Sequence, residues 1–144
     1  MAAIDLPDIN VWIALSAPDH EHRTRAERYW RQEAAPRLAF CTVTMVGLVR
    51  VSCSAPLFAG QPLDPETAWA AVQGWMAFNE VVTMREPDGC LAKLDSLVTS
   101  GYVTRRTWTD SYLTAFAMSS GLRLVSFDTD FRRYPDLDLL HLSP

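Results

Sequence analysis

Short apolar runs and helical apolar stripes alternate along this chain, and polar or acidic residues stand at most of the junctions between them. Residues 4–6 read as a short strand, and Pro7-Asp8 leads into a helix over residues 9–17 with Asp8 as its N-cap. Residues 20–33 form a polar helix with a narrow stripe at His22, Ala26, Tyr29 and Trp30, in which Glu21/Arg25 and Glu27/Arg31 stand at the supporting i,i+4 spacing. Its arginines are spread around the helix, the pattern of a solvated, salt-bridged face rather than of an RNA track. A strand at residues 37–41 follows, and Thr42 or Thr44 caps an apolar helix running to about residue 52.

Residues 56–62, containing Gly60, read as a loop, and Asp64-Pro65-Glu66 opens a helix whose apolar stripe is Ala68, Val72, Trp75 and Met76. Residues 80–84 are β-branched enough for a third strand, and Pro87-Asp88-Gly89 turns the chain into a helix through Leu91, Leu94, Leu97 and Val98. Thr107-Trp108-Thr109-Asp110 matches the capping pattern Ser/Thr-x-x-Asp/Glu, with the helix ending at Gly121. A strand at 122–127, a helical turn at 130–134 and a last strand at 137–142 complete the series. This alternation predicts an α/β fold in which a mainly parallel central sheet is flanked by helices on both faces.

The 144 residues, 49% of them hydrophobic, suffice for one domain spanning residues 1–144. Cys41, Cys53 and Cys90 fit neither a zinc spacing nor an even-numbered disulfide framework, so buried free thiols of a reducing cytoplasm are expected. No basic leader with a long apolar run is present, and no stretch approaches the roughly 20 apolar residues that span a bilayer, so a cytoplasmic protein without membrane contact is expected. A net charge of −4 argues against a broad nucleic-acid surface and confines any such contact to a local site. Arginine pairs at Arg105-Arg106 and Arg132-Arg133 lie a few residues from the late aspartates. Trp12, Trp30 and Trp69 exceed what a core of this size requires, which predicts self-association and partner binding through apolar surface.

Asp8 and Asp128 follow apolar strand-like runs and Asp110 opens a helix, so all three are placed to face the carboxyl edge of one parallel sheet. Taken singly, each has a plainer role: Asp8 an N-cap, Asp110 the acid of a capping box, Asp128 and Asp130 turn formers around Thr129. Together they favour a site for a hard cation, because carboxylates brought into one crevice repel until something positive joins them. Asn10 can donate a hydrogen bond to Asp8 or to a phosphate, and Ser126 can orient the carboxylate of Asp128.

The segments Asp8-Ile9-Asn10-Val11-Trp12-Ile13-Ala14-Leu15, Asp110 with Ala115-Phe116-Ala117, and Val125-Ser126-Phe127-Asp128-Thr129-Asp130-Phe131 resemble the signature segments of PIN-domain ribonucleases. They are most similar to the bacterial toxins of VapC type, and the resemblance runs in order along essentially the whole chain, including residues 44–50 and 63–66. It implies a Mg²⁺- or Mn²⁺-dependent endoribonuclease in which Asp8, Asp110 and Asp128 hold the metal, with Asn10, Ser126 and Asp130 in support. It also implies a homodimer, a cognate antitoxin that holds the toxin inactive, and structured RNA such as tRNA or ribosomal RNA as substrate.

One departure stands out: many PIN nucleases carry a glutamate where this chain has Gly47. The site then works with three acids, or with Glu66, Glu80 or Glu86 supplied from elsewhere, or it holds metal weakly. Gly47 and the acidic pI of about 5.3 also motivate a second reading, an RNA-binding or regulatory PIN-like module without cleavage. A phosphotransferase using Asp8 as nucleophile is disfavoured because Asn10 stands where such enzymes carry a second aspartate. His20, His22 and His141 lie beside no nucleophile elbow, and the first two read as surface positions of the second helix.

Overall fold

In the computed structural model, which describes residues 3–144, strand β1 (Ile4–Pro7) occupies the middle of a sheet ordered β3-β2-β1-β4-β5. The other strands are β2 (Arg37–Phe40), β3 (Val81–Thr83), β4 (Arg123–Ser126) and β5 (Leu139–His141), and every neighbouring pair runs parallel. Helices α1 (Ile9–Ser16), α2 (Arg23–Arg28), α3 (Thr42–Ser54), α4 (Pro65–Met76), α5 (Cys90–Thr99) and α6 (Trp108–Ser120) make the crossovers, with a short 3-10 turn at Thr129–Arg133. The predicted single α/β sheet, helices on both faces, is therefore present, and it is wholly parallel.

Alternate strand residues divide between two apolar cores because successive side chains point to opposite faces of a sheet. Leu38 and Phe40 of β2 and Val125 of β4 pack with α1 and with Leu48 and Val72, whereas Ala39 and Leu124 pack with Leu97, Leu113 and Phe116 of α5 and α6. Trp12 belongs to the first core: it is fully buried and stacks on Phe40 at 4.1 Å between ring centroids, so it is not the surface residue its size suggested. Trp30 is half-buried against Trp75 and Phe78, while Trp69 and Trp108 are exposed. Leu91 and Val98 also face solvent, because the buried stripe of α5 runs one register away, through Cys90, Leu94 and Leu97.

The expected helix over residues 20–33 begins later, at Arg23, and ends in a π-helical turn at Tyr29–Glu33. Asp5, fully buried on β1, supplies the reason. It accepts hydrogen bonds from Tyr29 Oη at 2.7 Å and from the Ala35 amide at 3.0 Å, and the widened turn delivers both donors. Arg123, its register partner on β4, completes the network with two bonds of 2.7 and 2.9 Å. The turn also changes the helix pairing: Arg25 bonds Glu33 at 2.7 Å and Arg23 bonds Glu27, in place of the expected Glu21/Arg25 and Glu27/Arg31 pairs. At α3 the N-cap is Cys41 rather than a threonine, with Thr44 reaching back to the Cys41 amide at 3.1 Å. All three cysteines are free, Cys41 and Cys90 buried, and burial first and Glu86 second push the Cys90 thiol up to about 11. Among the described residues no helix is long and apolar enough to cross a membrane.

Candidate active site

Strands β1 and β4 lie side by side at the centre of the sheet, and the chain order departs in opposite directions from that pair. The carboxyl ends of such strands leave a crevice where the connecting segments separate, the usual ligand position in an open α/β sheet. Asp8 leaves β1 directly into this crevice. Its amide bonds the Val125 carbonyl at 2.8 Å, and its carboxylate caps α1 by accepting the Ile9 N–H at 2.8 Å.

Ser126, the buried last residue of β4, is the centre of the network. Its hydroxyl donates to Asp8 Oδ2 at 2.9 Å while the same oxygen accepts from Asn10 Nδ2 at 3.1 Å and from the Asp128 amide at 3.0 Å. One hydroxyl has one proton and two lone pairs, and here each is used. Asn10 Oδ1 accepts the Phe127 amide at 3.3 Å, so Asn10 is fixed at both ends of its amide. Asp128 caps the 3-10 turn by accepting the Asp130 N–H at 2.8 Å, leaving Oδ2 free of protein donors among the described residues. Asp130 supports Asp128 through its backbone, and its own side chain is exposed.

Asp110 enters from the first turn of α6, and the capping box its sequence suggested does not form. Thr107 makes no side-chain cap bond; its hydroxyl accepts the Thr104 amide at 2.8 Å and so closes the preceding turn instead. The carboxylate of Asp110 consequently has no capping duty. Burial first, then the charges of Asp8 and Asp128, push its pKa up to about 6, with Arg133 acting in the opposite direction. Burial also raises the Asp8 pKa against the lowering effect of the Ser126 and Ile9 bonds, and Asp128 adds to the rise. The three acids therefore act on one another across a shared space. They do not form a closed cage: among the described residues no three His, Cys, Asp or Glu side chains stand close enough to enclose an ion.

The donor set still suits a hard divalent cation. All its atoms are oxygens, the mutual repulsion is of the kind a cation relieves, and Mg²⁺ binds through one or two carboxylates while keeping several waters. Among the described residues no glutamate takes the place of the acid absent at Gly47. Glu80 precedes β3 at the opposite edge of the sheet, Glu86 accepts the Tyr112 hydroxyl at 2.7 Å, and Glu66 is exposed in the first turn of α4.

Gly47 has a packing role of its own. A Cβ there would stand 2.2 Å from Ile9 Cδ1 and 2.9 Å from Cγ1, so α3 approaches α1 only because the position has no side chain. A helix-propensity gain of about 1 kcal/mol opposes an overpacking cost of about 1–3 kcal/mol, so Gly47→Ala is expected to destabilise by up to about 2 kcal/mol. Ile9→Val, which deletes Cδ1 and leaves the closer-in Cγ1 contact, should return part of that loss. Urea unfolding of the single and double variants checks this, and a Gly47→Ala protein more stable than the parent would refute it.

Two supports were not visible in the sequence. His22 lies before α2 and stacks on Phe127 at 4.7 Å, and His141 Nε2 stands 3.0 Å from the Phe127 carbonyl, so both brace the link between Ser126 and Asp128. Neither histidine sits in a motif, and only the tertiary fold brings them there. Arg133, noted in the sequence only as half of a basic pair, opposes the rise in the Asp110 pKa.

The fold is that of a PIN domain, and the comparisons give the family. The PIN domain family model matches residues 6–137, and the chain belongs to that family. Ribonuclease VapC41 of Mycobacterium tuberculosis is 32% identical over 140 residues, covering 93% of this chain and 95% of the relative. Among solved structures, VapC20 of Mycobacterium tuberculosis, a sarcin-ricin loop cleaving toxin, superposes with a TM-score of 0.70 at 12% identity over 93% of this chain and 97% of the other. A chain of the DNA-bound VapBC structure from Salmonella typhimurium gives 0.68 at 20% identity over 99% and 100%. At these identities the two structures speak for the fold, and the VapC41 match carries the kinship to the VapC type.

Proposed function

We propose that this protein is the toxin of a toxin-antitoxin pair, an endoribonuclease that hydrolyses cellular RNA with Mg²⁺ or Mn²⁺ held by Asp8, Asp110 and Asp128. The observation that carries the reading is the meeting of Asp8, Asn10 and the Asp128 amide on the Ser126 hydroxyl at the carboxyl edge of the sheet, with Asp110 close enough for the charges of Asp8 and Asp128 to raise its pKa, in a chain akin to named ribonucleases. When bound, a divalent cation would supply Lewis acidity and a more acidic water for phosphodiester hydrolysis. The chain's own residues do the positioning. Asp8 is held by Ser126 and Ile9, Asp128 by its own 3-10 turn, and Asp110 remains uncommitted to other bonds. One water adds across a phosphorus–oxygen bond, leaving a phosphate monoester and a hydroxyl. Structured RNAs, tRNA or ribosomal RNA, are the proposed substrates, and the VapC20 kinship in fold is in keeping with that class. The exposed Trp69, Phe78, Trp108 and Leu91 offer apolar surface for a homodimer and for an antitoxin.

Cleavage of total cellular RNA by the purified chain, with Mn²⁺ or Mg²⁺ and with excess chelator, tests the reading: activity is expected with metal and none with chelator. A protein that cleaves equally well in chelator, or that never cleaves, would refute it.

The Asp110 shift gives a pH dependence with a definite sign. Its folded pKa, about 6, lies above the ordinary carboxylate value, so its contribution to stability is present at acid pH and is lost as pH rises through about 6. The metal-free protein should therefore melt higher near pH 5 than near pH 7.5, by on the order of a few degrees once solvent screening of this half-exposed group is allowed for. Mn²⁺ should raise the melting temperature at pH 7.5 and much less at pH 5, where protons compete for the carboxylate. Melting curves at the two pH values, with and without Mn²⁺, provide the check.

A further inference from the structure

Arg133 ends the 3-10 turn that Asp128 opens, and its half-buried side chain is held by Tyr134. Its Nη2 donates to Tyr134 Oη at 2.7 Å, and its guanidinium carbon stands 4.7 Å from the centre of the Tyr134 ring. Tyr134 is buried, and its hydroxyl lies 2.8 Å from Ser111 Oγ, on the residue that follows Asp110 along α6. The guanidinium is thus tied through one tyrosine to the helix turn that carries Asp110. Among the described residues its Nε is buried without an acceptor, its Nη1 is neither bonded nor buried, and no carboxylate lies at ion-pair distance. The other nearby cations are placed differently: Arg105 and Arg106 are exposed on the loop before α6, and Arg132 is exposed with its Nη2 3.1 Å from His141 Nδ1.

A cation fixed beside a group of acids without pairing to any of them is positioned for an anion that arrives later. We propose that Arg133 is the phosphate-positioning residue of this site, its Nη1 edge taking a non-bridging oxygen of the phosphodiester brought to Asp8, Asp110 and Asp128, an inference that rests on the nuclease reading above. The chemistry favours it. A carboxylate cluster in a chain of net charge −4 repels RNA, so attraction must be supplied locally, and a planar guanidinium with free N–H donors matches phosphate oxygens.

Three measurements on the full chain test this with Arg133→Gln and Arg133→Lys, and with Arg105→Gln as an exposed comparator. They are cleavage of an oligoribonucleotide in Mn²⁺, Mn²⁺ affinity without RNA by electron paramagnetic resonance, and binding of the labelled oligoribonucleotide in Ca²⁺ by fluorescence anisotropy. Arg133→Gln is expected to lower kcat/KM on the order of 100-fold, with Arg133→Lys recovering part of the loss. Mn²⁺ should bind Arg133→Gln as tightly as the parent or more tightly, because a positive charge beside Asp110 is gone. RNA affinity in Ca²⁺ should fall, and the slope of its logarithm against the logarithm of salt should decrease by about 0.7, one phosphate contact on a single strand. Arg105→Gln should leave kcat/KM within a few fold. A purely structural role would weaken Mn²⁺ binding together with cleavage and lower the melting temperature, and that pattern overturns the proposal. So does an RNA affinity and salt slope that ignore Arg133. If the parent cleaves no RNA, the nuclease reading fails, and the Ca²⁺ binding measurement alone decides the Arg133 contact.

Discussion

Asp8→Asn is expected to lower metal-dependent RNA cleavage on the order of 1,000-fold, the several kcal/mol that a lost charged metal ligand removes from the transition state. The fold should survive, because asparagine caps a helix about as well as aspartate and its carbonyl can still accept the Ile9 amide. The exchange is not silent at Ser126. That hydroxyl donates to Asp8 Oδ2 and already accepts from Asn10 and from the Asp128 amide, so an incoming amide NH₂ would be a third donor on one oxygen. A cost of about 1–2 kcal/mol follows, offset in the metal-free protein by relief of repulsion among the acids. Neutralising Asp8 also removes one of the charges that raise Asp110, so the acid-side gain in melting temperature should shrink in the variant. Cleavage of total RNA, with melting as the folding control, separates the two roles of Asp8. A variant that cleaves like its parent would show Asp8 to be a cap and nothing more.

The largest stability effect is expected far from the crevice, at Arg123→Ala. Asp5 is fully buried, and Arg123 supplies its counter-charge through Nε at 2.7 Å and Nη2 at 2.9 Å while also donating to the Glu33 carbonyl at 2.9 Å. Removing the guanidinium leaves an ionised carboxylate with two neutral donors, Tyr29 Oη and the Ala35 amide, in a buried position. Breaking such a pair by deleting one partner costs about 3–5 kcal/mol, a large share of the stability of a domain this size. A drop in melting temperature of roughly 10 °C or more should follow. Chemical denaturation gives the free energy directly, and a loss below about 1 kcal/mol would show that the network contributes little. Because Asp5 sits at the other end of β1 from Asp8, any activity of the folded fraction should be retained at low temperature.

Strand exits were legible in the sequence because they combine two local signals. Ile4 to Leu6 and Leu122 to Phe127 are mainly apolar runs, and each is followed within two residues by an aspartate, so Asp8 and Asp128 could be assigned to the carboxyl edge without knowing the strand order. Ser126 was legible as a support for Asp128, but its service to Asp8 and Asn10 depends on β1 and β4 being neighbours, which no local pattern encodes. Asp110 shows the opposite failure. Its motif promised a capping box, and the fold gives Thr107 another partner, Thr104, thereby freeing the acid. Asp5 looked like the polar position of an alternating strand between Ile4 and Leu6; its burial and its pairing with Tyr29 and Arg123 are tertiary facts, and with them comes the π-helical turn that interrupts the helix. Gly47 read as the loss of an acid, whereas Ile9 packed against it shows what the glycine permits.

If Asp8, Asp110 and Asp128 together hold one divalent ion, crystals soaked in Mn²⁺ will show it through the anomalous signal of the metal. A single site is expected in the crevice between β1 and β4, with carboxylate oxygens from at least two of the three aspartates within about 2.6 Å and water completing the shell. A soaked crystal with no anomalous peak there, or with its only peak on other residues, would show that the three aspartates do not hold the ion.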